Sequence, residues 1–374
     1  MSLTFQGYQR SDGTAGTRNH IGIVSSVICS STVVREVADQ VPSAIPFVHA
    51  NGCAQLGDDF KLTKQMLVGM VSNPNLYAAL LIGLGCETNQ VSGLLKSIPK
   101  NKPLEAIGIQ QLSGGDNTIN HGVSRAEAWA KEAEKEERTT QPLSSITIGV
   151  MTVEADEDTL NDVTPIVGKV VDQLLENHGT VITGLGKTME PAGNLLAELA
   201  NNKDAEDKLR KVEKGFQRES WETVQNVNQE TLPWSDDQRR TAHLETGISG
   251  SKAIDSVLGY GEKPIRKGLH MMSVPNNIVE AMSSLASAGC GIVLMISSRG
   301  IFTGSVAVPC MTVVPSQHDA LYDELVDYKV SGADVEQQVT ELIDTLIDVC
   351  SGKETRLETH ALGEFSISHV GTPF

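Results

Sequence analysis

Three short segments in the first quarter of the 374-residue chain set chemistry-bearing side chains beside apolar runs: DGTAGTRNH (12–20), HANGCAQ (49–55) and GLGCETNQ (83–90). The first precedes the run 21–28, the second closes the run 44–49, and the third closes the run 77–85. Polar chemistry in open α/β sheets collects at strand ends, so this placement predicts one site assembled from residues far apart in sequence. Arg18 offers a bidentate grip on a carboxylate, and Asn19 offers hydrogen bonds to hydroxyls. His20, His49 and Glu87 bring acid–base capacity. His49, Cys53 and Cys86 are donors that a borderline metal ion accepts. The set suits an anionic, hydroxylated small molecule.

Each residue also has a plainer role open to it. His49 reads equally as a histidine satisfied at a strand end, and Cys53 as a catalytic thiol or a packing residue. Glu87 serves as a base, or as a cap for the helix beginning near residue 88, with Asn89 and Gln90 open to either use. His121 follows the turn-rich SGGDNTIN (113–120) and either reaches the same edge or is solvated. In SSRGIFTGS (297–305), Arg299 and Thr303 sit among small residues between two apolar runs. That loop either admits a carboxylate close to its backbone or is an ordinary solvated connection.

The elements that must position these residues alternate in βαβ rhythm through residue 150. Strands are expected at 21–28, 44–49, 77–84 and 105–110, with helices at 31–40, 58–72, 88–98 and 117–138. Asp58 and Asp59 stand favourably at a helix start. The segment AWAKEAEKEERTTQPLSS (128–145) ends the helical pattern and marks a boundary. Beyond it, ITIGV (146–150), TVITG (180–184), LHMMSV (269–274), GIVLMIS (291–297) and VPCMTVV (308–314) read as strands. The stretch 201–265 reads as a polar, mostly helical insertion, broken at Pro233, rather than a strand region. In GADVEQQVTELIDTLIDVCSG (332–352), one apolar face from Val335 to Cys350 predicts an amphipathic helix covering a sheet. The expectation is an α/β protein of two domains, 1–143 and 144–374, each with a mostly parallel sheet flanked by helices.

Composition narrows the function. With 30 basic and 47 acidic residues the net charge is −17, which opposes nucleic acid and anionic membrane surfaces as partners. No apolar stretch approaches the ~20 residues of a membrane span, and the expected location is cytoplasmic. Six cysteines without a CxxC pair fit a reducing compartment. Cys29, Cys290, Cys310 and Cys350 lie in apolar settings and read as small buried hydrophobes. Phosphate-loop, dinucleotide-binding, nucleophile-elbow and zinc-helix patterns all fail: the Gly-Lys-Thr of TGLGKTMEP (183–191) lacks its first glycine, since that position is Val181.

The chain resembles the altronate/galactarate dehydratase family, which includes the large subunit of sulfolactate sulfo-lyase. The family opening stands here as GYQRSDGTAGTRN (7–19), its His-x-x-Gly-Cys element as HANGC (49–53), its Gly-Leu-Gly-Cys-Glu element as GLGCE (83–87), and its closing block as 267–305. The resemblance implies β-elimination from a sugar acid or related hydroxy acid, assisted by divalent iron or manganese. It implies His49, Glu87 and His20 in catalysis, and Arg10, Arg18, Asn19, Asn89, Arg299 and Thr303 on the substrate. The candidate ligands for that metal, by residue type and spacing, are His49, Cys53 and Cys86. Expected partners are the hydroxy acid, a separate small β-clip subunit and, as an open alternative, further copies of the chain. Three segments depart from the family pattern. MTVEAD (151–156) replaces a Cys-Gly-Gly-Ser-Asp turn and keeps only Asp156. TGLGKTMEP has no acidic residue before Glu190, and ETGISGSKAIDSVLGYG (245–261) keeps only an outline. The rival expectation is therefore an altered member that binds a carboxylate or serves as a partner subunit.

Overall fold

A computed structural model describes residues 3–53, 55–213, 234–316, 321–331 and 334–369. Four parallel strands form the first sheet, in the order β4-β3-β5-β6: β3 (His20–Ser25), β4 (Ala44–Phe47), β5 (Leu76–Gly83) and β6 (Leu104–Gly108). Helices α1 (Ser31–Asp39), α2 (Gly57–Val71), α3 (Val91–Ser97) and α4 (Gly115–Ala133) connect and flank them. Strands covered on both faces read as near-continuous apolar runs, and β3 and β5 are buried over almost their whole lengths.

The second sheet has seven parallel strands in the order β10-β11-β9-β8-β12-β13-β14. These are β8 (Thr147–Thr152), β9 (Thr180–Leu185), β10 (Ile254–Leu258), β11 (Gly268–Ser273), β12 (Cys290–Ile296), β13 (Cys310–Pro315) and β14 (Tyr328–Val330). Helix α5 (Glu157–Glu176) is capped by Asp156, whose carboxylate accepts from the Thr159 N–H at 2.8 Å. It packs with α10 (Val335–Cys350) on the core that also holds Ile148, Val150, Met311 and Val313. The remaining helices are α6 (Gly193–Glu198), α7 (Lys203–Val212), α8 (Asp236–Thr246), α9 (Ile278–Ser287) and α11 (Arg356–Thr359). None of the described helices is long and apolar enough to cross a membrane.

Two features differ from the sequence expectation. A small antiparallel sheet, β2-β1-β7, joins β1 (Thr4–Gln9) to β2 (Ala15–Gly16) and β7 (Thr139–Pro142). The polar composition of β1 and β7 concealed them, since each alternates or exposes its side chains, and β2 is only two residues long. The stretch 201–265 is not wholly an insertion: Ile254–Leu258 is an edge strand paired with β11. Residues 214–233, including the break expected at Pro233, lie outside the described residues.

The two sheets share a core. Val24, Phe47, Met66 and Met70 pack in one cluster with Ile182, Met272, Met282 and Leu285. Helices α2 and α9 meet closely: a Cβ on Gly69 would stand 2.3 Å from the Ser287 carbonyl oxygen, so only glycine fits the crossing. Buried amides fasten the seam. Asn73 Nδ2 donates to the Ala286 and Cys290 carbonyls at 2.7 and 2.9 Å, and Asn75 Nδ2 to those of Gly291 and Ala307 at 3.1 and 3.0 Å. Buried polar groups so paired fix one relative placement of the two layers.

Candidate active site

The residues expected to form one site are divided between opposite edges of the first sheet. Arg18, Asn19 and His20 lead into β3 at its amino end, whereas His49, Cys53, Cys86, Glu87 and Asn89 follow β4 and β5 at their carboxyl ends. Parallel strands of six to eight residues separate the two groups by about 20 Å. The amino-end group is occupied structurally. Arg18 Nε and Nη2 form a fork on the Glu358 carboxylate at 2.7 and 2.8 Å, and Nη1 and Nη2 also donate to the carbonyls of Thr17, Val349 and Lys353. All five guanidinium donors are thus used, which corrects the expectation that Arg18 receives a substrate carboxylate. Arg10 donates to the Pro74 carbonyl at 2.7 Å and to Asn19 Oδ1 at 2.8 Å, while Asn19 Nδ2 donates to the Ala133 carbonyl. These two residues tie α4 to the strand entrance instead of facing a ligand. Burial, reinforced by the Arg18 charge, lowers the His20 pKa to about 4.

At the carboxyl edge the polar groups also find internal partners. His49 Nδ1 accepts from the Asn51 N–H at 3.1 Å, so Nε2 carries the proton and donates to the Ser25 carbonyl at 2.9 Å. Burial lowers the pKa of this neutral ring to about 4. The C-terminal segment covers it: Phe365 stands edge-on to His49 and to Phe47, and Asn51 Nδ2 donates to the Ile367 carbonyl at 3.0 Å. Glu87 accepts from the Gly85 N–H at 2.6 Å and from Ser26 Oγ at 3.3 Å, and Asn89 Nδ2 donates to the Phe60 carbonyl at 3.1 Å. His121 meets Glu105 at 2.7 Å on an exposed surface.

The candidate ligand set does not fit a divalent iron or manganese ion. Both ring nitrogens of His49 are engaged, Cys53 and Cys86 are soft donors, and no three His, Cys, Asp or Glu side chains among the described residues converge on one ion. Cys290, Cys310 and Cys350 are buried as expected, and burial raises their thiol pKa values, to about 12 for Cys310 and Cys350. Cys29 is exposed, contrary to its expected packing role. The chain turns out of the sheet after β3, so this residue falls beyond the buried part of its apolar run.

A cleft of about 690 Å³ opens in the second sheet. Its walls come from the turns after β8 (Thr152 to Ala155), β9 (Gly186 to Thr188) and β11 (Val274 to Asn276), closed by α8 with Gln238, Thr241 and Glu245. Strand β8 lies where the chain order reverses, with β9 on one side and β12 on the other, the switch point at which open α/β sheets bind ligands. Glu245 is buried at the floor. Thr152 Oγ1 donates a short hydrogen bond to Oε1, while Oε2 has no hydrogen-bond partner among the described residues. Burial raises the Glu245 pKa, opposed by the Thr152 and Thr188 hydroxyls. Its place in the last turn of α8, at the negative end of the helix dipole, acts in the same direction as burial.

One cation lines this cleft and a second stands on a loop that hydrogen-bonds to its wall, neither with a carboxylate partner among the described residues. Lys187 lies in its wall, and Arg299 is exposed on the loop after β12, whose Ser298 Oγ donates to the Glu154 carbonyl at 2.6 Å. On the same loop, Thr303 Oγ1 is buried with no partner among the described residues. The expected Arg299 and Thr303 therefore belong to the second-domain side. Sequence reasoning missed Glu245, Lys187 and Thr188. One signal was present: the three segments that depart from the family pattern, 151–156, 183–191 and the one headed by Glu245, are those that meet in this cleft.

A family model described as D-galactarate dehydratase/altronate hydrolase, second domain, matches residues 7–134. A second, described as D-galactarate/altronate dehydratase, C-terminal, matches residues 143–372. Among curated proteins, the altronate dehydratase of Escherichia coli (strain K12) is 28% identical over 97% of this chain and 77% of its own length. That of Bacillus subtilis (strain 168) is 28% identical over 98% and 78%. The (2R)-sulfolactate sulfo-lyase subunit beta of Chromohalobacter salexigens is 24% identical over 98% of this chain and 97% of its own length.

Proposed function

The chain belongs to the D-galactarate dehydratase/altronate hydrolase family, and from that premise we propose that it is a lyase acting on a sugar acid or related hydroxy acid in the second-domain cleft. The observation that carries this reading is Glu245, a buried carboxyl at the cleft floor with one oxygen unpaired. A carboxyl so placed has its pKa moved toward neutrality and suits proton transfer. In this reading Glu245 Oε2 removes the proton α to the substrate carboxylate. Lys187 and Arg299 hold that carboxylate and favour the carbanionic charge that develops. The β-hydroxide leaves with the abstracted proton as water, and the remaining enol tautomerises to a 2-keto acid.

The same elimination with a sulfonate leaving group would release sulfite, and the sulfo-lyase relative brings that substrate class into consideration. Its name, as a beta subunit, supports a separate small subunit as a working partner. The test incubates the purified chain with iron or manganese and with any small-subunit partner. Altronate, galactarate and sulfolactate are supplied, and 2-keto acid and sulfite are measured. Product from the native chain and none from Glu245→Gln supports the reading. Tight calorimetric binding of intact acid without turnover favours the carboxylate-binding alternative, and neither binding nor turnover overturns both.

A further inference from the structure

Thr152 and Glu245, 93 residues apart in sequence, meet in the second-domain cleft from two elements that are each held firmly. Thr152 ends β8, where it pairs with Ile296 of β12, and the next N–H, that of Val153, donates to the Ile296 carbonyl at 2.7 Å. The ladder of the central strands therefore delivers its hydroxyl. Glu245 comes from the last turn of α8, and the turn that follows is seated on α5: a Cβ on Gly168 would stand 2.4 Å from the Gly247 carbonyl oxygen, so glycine is what admits that turn. Glu245 is 2% exposed. Thr152 Oγ1 donates to its Oε1, while Oε2 has no hydrogen-bond partner among the described residues. Both residues line the cleft, and both stand in segments that depart from the family pattern.

We propose that Thr152 is a positioning residue for Glu245: its hydroxyl holds Oε1, so that Oε2 is the atom that takes up the substrate proton. The inference rests on the reading of Glu245 as the base and gives that base a direction. A free glutamate carboxylate turns broadly about its last side-chain bond and exchanges its two oxygens. A hydroxyl that donates to one oxygen ends the exchange and leaves the proton to the other. Such a hydrogen bond also favours the ionised form. Burial raises the Glu245 pKa, and the Thr152 and Thr188 hydroxyls offset part of that effect. The charged groups around the cleft are Lys187 after β9, Glu154 after β8 and Asp237 on α8 itself. Behind them, Glu157 of α5 is paired with Arg240, and Glu190 stands on the short turn packed against α8. None of these charges contributes to the Glu245 shift, which comes from burial and the two hydroxyls.

The test compares Thr152→Val, which keeps the shape and lacks the donor, with Thr152→Ser, which keeps the donor. The full chain is isotopically labelled at the glutamate carboxyl carbons and titrated without substrate by nuclear magnetic resonance, the Glu245 signal being the one absent from Glu245→Gln. The expected midpoint is about one pH unit higher in Thr152→Val, the tenfold change in proton affinity that one hydrogen bond to a charged group supplies. Thr152→Ser should restore it. With sugar acid supplied, the acid-side decline of kcat/KM should move upward with that midpoint, and kcat on the plateau should fall about tenfold at unchanged KM. An unshifted Glu245 titration in Thr152→Val overturns the proposal, with or without a lower unfolding temperature, because the contact would then only seat α8. A shift that Thr152→Ser shares overturns it as well, since packing rather than the hydroxyl would be responsible. If Thr152→Val does not fold, Thr152→Cys, whose thiol is a weak donor, is titrated in its place. Failures separate because the titration needs no turnover. A shifted midpoint in a chain that turns over no acid removes the lyase reading and leaves Thr152 governing the Glu245 proton; turnover with an unshifted midpoint does the reverse.

Discussion

The two sheets handle polar residues in opposite ways. At the edges of the first, the motif-bearing Arg10, Arg18, Asn19, His49, Glu87 and Asn89 have nearly all been drawn into internal hydrogen bonds. At the carboxyl edge of the second, Glu245 Oε2, Lys187 and Arg299 have no such partners among the described residues. A satisfied polar group contributes to architecture; an unsatisfied one at a crevice keeps its capacity for a ligand. Residue type alone does not distinguish the two, because an arginine that clamps a helix end and one that clamps a substrate need the same fork.

The largest expected effect breaks the comparison if it fails. Glu245→Gln preserves the shape and the acceptor for Thr152 but removes the proton-transfer group, so kcat should fall by about 10²–10⁴. Acting as a base, Glu245 must be ionised, so native kcat/KM should decline on the acid side with a midpoint above the ordinary glutamate range. Stability should move the other way. A carboxyl whose folded pKa is raised stabilises the fold at pH below its unfolded value, and that contribution is lost as pH rises through the folded pKa. The glutamine variant should therefore unfold at an equal or higher temperature than the parent at pH 8. A large loss of Tm there would make Glu245 a structural residue.

Arg18 should show the reverse pattern. Arg18→Ala strips the fork from Glu358 and frees the carbonyls of Val349 and Lys353 at the end of α10 as well as that of Thr17, and breaking such a largely buried pair costs about 3 kcal/mol. The expected result, read by denaturant unfolding, is a much lower midpoint with an unchanged KM for the acid in the folded fraction. A raised KM with intact stability would return Arg18 to the substrate. Arg18→Lys should recover little, because an ammonium cannot reproduce the planar fork.

Most of the fold was legible because burial writes itself as apolar runs. Helix 58–72 and strand 77–84 were expected within a residue of α2 and β5. Polar β1 and β7 carry no such signal, since their pairing is settled by distant backbone rather than by side-chain pattern. The site was legible only in part. His20 and His49 stand beside predicted strands, but whether a residue precedes or follows a strand decides which edge it occupies, and the two fall on opposite edges. Glu245 was hidden because its burial depends on α8 folding over the β8 and β9 turns, a contact some 60 to 90 residues away in sequence. Glu154 preserves a trace of the divergence. It adopts φ +53°, a left-handed conformation, within the turn where the family pattern has two glycines.

His20, half-buried, and His49, buried, supply a smaller test, read by pH. Both fold as neutral rings with pKa values lowered to about 4. A base whose folded pKa is depressed binds more protons when unfolded, so its burial costs nothing above pH 6.5 and weakens the fold as pH falls from about 6.5 toward 4. His49→Gln should flatten part of that acid limb, with an effect of roughly 2 kcal/mol at pH 4.5. An acid limb identical in the parent and His49→Gln would mean that the ring accepts a proton in the fold, and would restore His49 as an acid–base group.

The smallest effect separates the two edges most finely. Lys187→Ala and Arg299→Ala remove exposed cations that support no described part of the fold. Unfolding curves should overlay that of the parent, while KM for the acid rises about tenfold for each change, the scale of one charge-assisted contact. Such a rise with kcat unchanged means that the contact is made equally in ground and transition states; a fall in kcat as well places the cation on the charge that develops during elimination. If both cations grip one carboxylate, the double variant should lose less than the product of the two, because the first loss already frees the carboxylate to rotate toward solvent. Strict multiplicativity would place them on different oxygens of the substrate, one at the carboxylate and one farther along the chain, and would set a minimum length for the acid that the cleft accepts.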